Sequence, residues 1–173
     1  MPDKERTIPY IMKYLFPLTV LCGLLSLPCM AQSVDKEAVP GHYTFKSLTF
    51  DDPVDINRDG KSSRQFADEV NACATDMVYE LNADGTGKYT VGQQEKDCKN
   101  KQERAIRWKI RNGKAGGPGA GKTYLVISDA DGFDPTPFEV IKQAKNALVI
   151  RGEFRDGSDS TASAVLELKK KKP

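Results

Sequence analysis

Histidine occurs once in this chain, at His42, and tryptophan once, at Trp108. A single imidazole rules out a centre built from several histidines. Only two cysteines lie beyond the first 31 residues, so a tetrahedral zinc site of sulfur and nitrogen ligands cannot be completed. Charge of one sign is lacking too: 26 basic residues face 24 acidic ones, for a formal net charge of +2. The basic residues are scattered apart from Lys169 to Lys172, so no concentrated face exists to neutralise many phosphates. A solvated chain end accounts for that lysine run, and nucleic acid is excluded as a partner. Long amphipathic helical patterns are missing, which removes parallel βαβ architectures. No paired carboxylates are spaced for acid–base work and no Gly-x-Ser-x-Gly elbow occurs, so the expectation is a protein that is not an enzyme.

The longest apolar run is near the N-terminus. Lys13 precedes Tyr14 to Leu25, and the stretch ends at Pro28-Cys29-Met30-Ala31. Positive charge, a run of about 14 apolar residues and small residues at Cys29 and Ala31 form a secretory signal at 1–31, cleaved before Gln32. The run falls short of the roughly 20 residues that span a bilayer, so no stable membrane span is expected in the mature form. A lipoprotein acylated at Cys29 is the weaker alternative, because Leu27 and Pro28 depart from a lipobox. Export places the mature chain in the periplasm or outside the cell. About 142 residues remain, the size of one domain expected to be a monomer, with a formal charge of +1 once Lys4, Arg6, Lys13, Asp3 and Glu5 are gone. Cys73 and Cys98 are then an even pair in an oxidising compartment and are expected to form a disulfide. Closing that loop of about 25 residues contributes roughly 3–4 kcal/mol in the chain-entropy model.

Residues 32–40 form a polar leader. From Gly41 to about Lys170 the pattern is that of short strands separated by turns. Segments 42–50, 76–81, 88–91, 105–110, 123–128, 138–142, 147–154 and 162–168 are rich in β-branched, aromatic or alternating residues. Turn chemistry at Asn82 to Gly87, Lys145-Asn146 and Asp156 to Ser158 separates neighbours. Ser62 to Gln65 resembles a capping box, and Phe66, Val70 and Cys73 at helical spacing predict one short helix. Eight up-and-down antiparallel strands are expected to close into an all-β barrel, which removes exposed edges. A sandwich is the second choice.

The most informative motif is Asp55-Ile56-Asn57-Arg58-Asp59-Gly60. Alternate positions in a tight loop aim oxygen-bearing side chains at one centre, and hard divalent cations prefer such oxygens. Asp55, Asn57 and Asp59 supply three side chains, Gly60 permits the sharp turn, and the carbonyl of Lys61 adds an oxygen. An EF-hand would need a bidentate Glu twelve residues into the loop; Phe66 stands there, so the loop is not an EF-hand. Asp68 or Glu69 can complete the set. The bland alternative is an Asx-rich turn with solvated carboxylates. The expected cofactor is a structural calcium ion.

Three further patterns carry less. Gly116 to Thr123 matches the phosphate-loop consensus, but a strand follows it where a helix N-terminus is required, so no nucleotide is expected. Asp129 to Asp134 is a polar turn before it is a second cation site. Trp108 suits a core better than a stacking platform.

Together these residues resemble the bacterial secreted lipocalin-like proteins, the small-barrel kind with an Asp-rich loop and a Cys pair. The likeness runs through Gly41-His42-Tyr43, where Tyr43 stands for the usual Trp, then Val54 to Gly60. Glu69 comes four residues before Cys73, followed by Asp76, the Asn82 to Thr86 hairpin, Cys98, the Trp108 strand and the final Leu-Glu-Leu-Lys strand. It covers nearly all of the mature chain. The resemblance implies a lipocalin-like eight-stranded barrel and puts the loop's acid at Glu69. It implies a small apolar ligand as the partner only by analogy. The alternative is a filled barrel serving as a structural or protein-interaction module of the cell envelope, with no small-molecule site.

Overall fold

The alternation of apolar and polar side chains along each segment folds the chain into strands that bury every second residue. The structure, a computed structural model, describes residues 34–93, 96–99, 101–117, 119–155 and 161–172. The signal at 1–31 and the turn at Asp156 to Ser158 lie outside the described residues. Among the described residues nine strands occur: β1 (Gly41–Val54), β2 (Ser63–Gln65), β3 (Met77–Leu81), β4 (Thr86–Val91), β5 (Gln102–Asn112), β6 (Thr123–Asp129), β7 (Thr136–Ala144), β8 (Ala147–Arg155) and β9 (Thr161–Lys170). Strands β3 to β9 follow one another in order, all antiparallel, and β9 pairs with β1 to close an eight-stranded up-and-down barrel. The sandwich is thereby excluded.

Inward positions make one core: Tyr43, Leu48, Phe50, Leu81, Ile106, Trp108, Leu125, Leu148, Ile150, Leu166 and Leu168 are all buried, and Phe138 and Phe154 pack against them with ring centroids 5.6 Å apart. Trp108 is 5 % exposed, a core residue whose Nε1–H donates to the carbonyls of Asn82 (2.9 Å) and Thr86 (3.1 Å). Gly152 is required by that packing, because a Cβ there would lie 2.5 Å from the Phe138 ring.

Two bulges adjust which side chains face inward. Phe45 pairs with Leu168 and Ser47 with Glu167, so Lys46 is an extra residue. Phe45 and Leu48, three positions apart, therefore both reach the core. Val140 pairs with Ile150 and Lys142 with Val149, which expels Ile141 and leaves it 40 % exposed.

The segment between β1 and β3 departs from expectation. Instead of one helix from Phe66 to Cys73, two single turns form: α1 (Phe66–Glu69) and α2 (Ala72–Thr75). Val70 is extended (φ −136°, ψ 164°), and Asn71 caps the second turn by accepting from the Ala74 N–H. The capping box does not form either. Ser63–Gln65 is instead a short strand pairing with β1, and the Ser63 hydroxyl accepts from the Gln65 N–H. Both β2 and β3 share one edge of β1: Gly41 to Thr44 pair with β3, and Thr49 and Val54 pair with β2. The excursion therefore covers the seam where β1 and β3 part. Phe66 is its apolar peg, with ring centroids 6.2 Å from Phe45 and 6.4 Å from Phe50.

The leader is also more ordered than its polarity suggests. Lys36–Ala38 forms a 3-10 turn, and Val39 is fully buried beneath it. The Tyr43 hydroxyl donates to the Val39 carbonyl at 2.6 Å, and Lys170 Nζ donates to the Ala38 carbonyl at 2.8 Å. Asp35 and Gln143 exchange two hydrogen bonds of 2.8 and 2.9 Å. The leader stoppers the barrel end that carries the β3–β4 and β7–β8 turns.

Candidate cation loop and barrel mouth

The opposite barrel end gathers the loop at 55–62, the turns α1 and α2, the β4–β5 connection and the β6–β7 turn. Arg58 (φ 61°) and Gly60 (φ 85°) take left-handed conformations, which reverse the chain within six residues. Asp55 then accepts from the Asp59 N–H (Oδ1, 3.1 Å) and the Gly60 N–H (Oδ2, 2.9 Å). Asn57 Oδ1 accepts from the Asp59 N–H at 2.9 Å, and Asp59 Oδ1 accepts from the Lys61 N–H at 2.8 Å. All three side chains thus fold back over their own turn. Each oxygen holds a second lone pair, so these bonds leave acceptor capacity for a cation.

The two acids that follow the loop turn to different partners. Asp68 turns to Ser63, whose hydroxyl donates to Oδ2 at 2.7 Å. Glu69 turns to the loop, where Oε2 accepts from the Ile56 N–H at 3.0 Å. At 5 % exposure Glu69 is the one buried charged side chain among the described residues. Burying a carboxylate is costly without hydrogen bonds or a counter-charge. Asp55, Asn57, Asp59, Glu69 and the Lys61 carbonyl are all oxygen donors, a composition that suits calcium more than zinc or copper. Among the described residues, no three His, Cys, Asp or Glu side chains converge as a metal group.

Cys73 and Cys98 form the expected disulfide, with Cα atoms 5.6 Å apart. It ties α2 to the β4–β5 connection, and so fastens the excursion across the seam. A disulfide is consistent with an oxidising compartment. Among the described residues no helix is long and apolar enough to cross a membrane.

Among the described residues, two cavities stand out at this end. One of about 440 Å³ lies beside the disulfide against Asn71, Cys73, Ala74, Val91, Asp97, Lys99 and Gln102. It is the larger, but no aromatic side chain lines it. The other, about 230 Å³, is the barrel mouth, and the sequence alone gave no sign of it. Tyr79 pairs with Tyr89 and Tyr89 with Arg104, so these three inward side chains form one row across β3, β4 and β5. Ile127, Asp129, Asp134, Thr136 and Phe138 complete the wall. The two tyrosine rings lie 4.7 Å apart. Burial raises the Tyr79 hydroxyl far above its ordinary range, with a smaller push from Tyr89. Burial also raises Tyr89, against a downward pull from the Arg104 guanidinium.

The remaining motifs fall on ordinary connections. The glycine-rich stretch at 113–122 joins β5 to β6, and Thr123 opens a strand. His42 lies 3.7 Å from Glu80 on the outer face. Comparisons with protein-family models, curated proteins and solved structures give no match.

Proposed function

We propose that this chain is an exported, monomeric, non-enzymatic binding module of the lipocalin-like kind, which holds a small molecule at its barrel mouth. The observation that carries the proposal is the cavity of about 230 Å³ lined by Tyr79, Tyr89, Ile127 and Phe138. Ligand sites are concave and combine apolar walls with a few placed polar groups; the mouth sets its aromatic and aliphatic side chains beside Arg104, Asp129, Asp134, Ser128 and Thr136, which makes it more polar than most. Its volume lies below the range of about 300–1,000 Å³ usual for larger ligands, so the ligand is small. Below it, Trp108 and its neighbours fill the barrel, which keeps the ligand shallow.

Calcium in this proposal is structural. Asp55, Asn57, Asp59, the Lys61 carbonyl and Glu69 would hold it, and its charge would offset that of buried Glu69. Extracellular modules bind calcium weakly, with Kd of about 0.1–1 mM, which suits a compartment where the ion is plentiful.

The packed interior favours a second reading, a filled barrel acting as a structural or protein-interaction module. NMR titration of the mature protein with indole and with toluene separates the two. Saturable shifts confined to Tyr79, Tyr89, Ile127 and Phe138 are expected from a binding module. Unchanged spectra with both probes and with charged aromatic molecules at millimolar concentration would transfer the case to the filled barrel.

A further inference from the structure

We infer that the mouth selects small zwitterions, a molecule of the aromatic α-amino acid class, with its carboxylate on Arg104 and its ammonium on Asp129 and Asp134. This rests on the mouth being a ligand site. The inference starts from charges that the fold brings together and leaves apart. Arg104 faces inward in register with Ile106 and Trp108, directly across from Tyr89. Asp129 pairs with Ile106 and so faces inward diagonal to Arg104. Residues directly opposite or diagonal in a sheet lie within reach of long side chains. Yet among the described residues no ion pair joins Arg104 to Asp129 or Asp134. Lys46, Lys88, Lys122 and Arg151 do find carboxylates elsewhere on the barrel. The mouth holds one guanidinium and two carboxylates around an aromatic cup, each free to accept a partner of opposite sign.

The acidic side of the cup is also held in place. The β6–β7 turn is closed by the Gly132 N–H donating to the Asp129 carbonyl at 2.8 Å. Arg107 Nε–H on neighbouring β5 donates to the Ala130 carbonyl at 2.7 Å. Asp134 sits in the left-handed region (φ 52°), an uncommon setting for a side-chain-bearing residue. These contacts fix the acidic wall relative to β5, which carries the basic one.

The ligand chemistry follows from the wall. A guanidinium binds a carboxylate through two parallel N–H donors. Two nearby carboxylates suit an ammonium, and aromatic faces add attraction for a cation. The ring of the ligand would meet Tyr79, Phe138 and Ile127. A cavity of about 230 Å³ accommodates one ring with a short charged arm and little more. A purely apolar molecule would leave all three charges unmatched. A dianion would meet two like charges, and a diamine would meet the guanidinium.

Calorimetric titration of the mature, oxidised protein with L-phenylalanine, 3-phenylpropionate, phenethylamine and toluene tests this. L-phenylalanine is expected to bind about tenfold tighter or more than either singly charged analogue, the scale of one charge-assisted hydrogen-bonded contact at a partly exposed site. Arg104→Gln should bring L-phenylalanine down to the level of phenethylamine, and Asp129→Asn down to that of 3-phenylpropionate. Both side chains are exposed, so both variants should melt like the parent. Toluene binding as well as L-phenylalanine, or any single-charge analogue matching it, would overturn the zwitterion while leaving the mouth as a ligand site. Absence of binding by all four compounds would overturn both.

Discussion

The two ends of this barrel are built on different terms. The stoppered end is closed by the chain itself: Val39 is fully buried, Tyr43 bonds to the Val39 carbonyl, and Trp108 donates to two carbonyls of the β3–β4 hairpin. Its polar groups are matched and its apolar groups dense. The open end depends on cross-links between segments that have little core of their own. A disulfide, an Asx-rich loop and one buried glutamate hold α1 and α2 over the seam. Inside it, among the described residues, Arg104 makes no ion pair with Asp129 or Asp134, and aromatic rings border a cavity. The difference teaches where each kind of residue is tolerated: satisfaction at one end supplies stability, and the proposed ligand and ion would both draw on the other.

The comparison is broken most severely at the stoppered end. Trp108→Ala removes a large buried ring and two hydrogen bonds and is expected to cost about 3–5 kcal/mol in denaturant unfolding. Next is the open end's cross-link. Cys73→Ala with Cys98→Ala should cost about 2–4 kcal/mol and raise amide exchange in residues 66–76 while leaving β8 and β9 protected. Calcium near 100 times its Kd should stabilise the parent by about 2–3 kcal/mol, and a thermal melt of Asp55→Ala with Asp59→Ala should lose that gain. Tyr43→Phe orphans the buried Val39 carbonyl at a cost of about 1–2 kcal/mol.

Alkaline pH sharpens the same contrast. Burial pushes the Tyr43 hydroxyl up to about 12 from its ordinary value of 10. A raised folded pKa means the native state holds the proton more tightly than the unfolded chain. Its stabilisation is full below about pH 10 and fades as pH rises towards about 12. Unfolding followed by phenolate absorbance should lose part of that pH dependence in Tyr43→Phe.

Much of the stoppered end was legible in the sequence, because alternation and turn chemistry are local signals. The strands around Trp108 and Leu166 follow from spacing alone. Bulges at Lys46 and Ile141 were not legible, since they arise from register against a neighbouring strand. The leader was underread because Val39 is one apolar residue in a polar stretch, and only the folded barrel supplies its socket. The Asx-rich turn was visible as Asp55, Asn57, Asp59 and Gly60. The break at Val70-Asn71 was not, because the spacing of Phe66, Val70 and Cys73 suits a continuous helix. Tertiary closure of the seam overrides that local preference. The mouth was hidden for a similar reason: Tyr79, Tyr89 and Arg104 are far apart in sequence and meet only through strand pairing.

Site-resolved hydrogen exchange with calcium and with a chelator tests the contrast most directly. Calcium should slow the amides of Ile56, Asp59, Gly60 and Lys61, which donate to the loop's acidic and amide side chains, and leave the Trp108 amide unchanged. Equal exchange at those four positions with and without calcium would contradict a cation-braced open end.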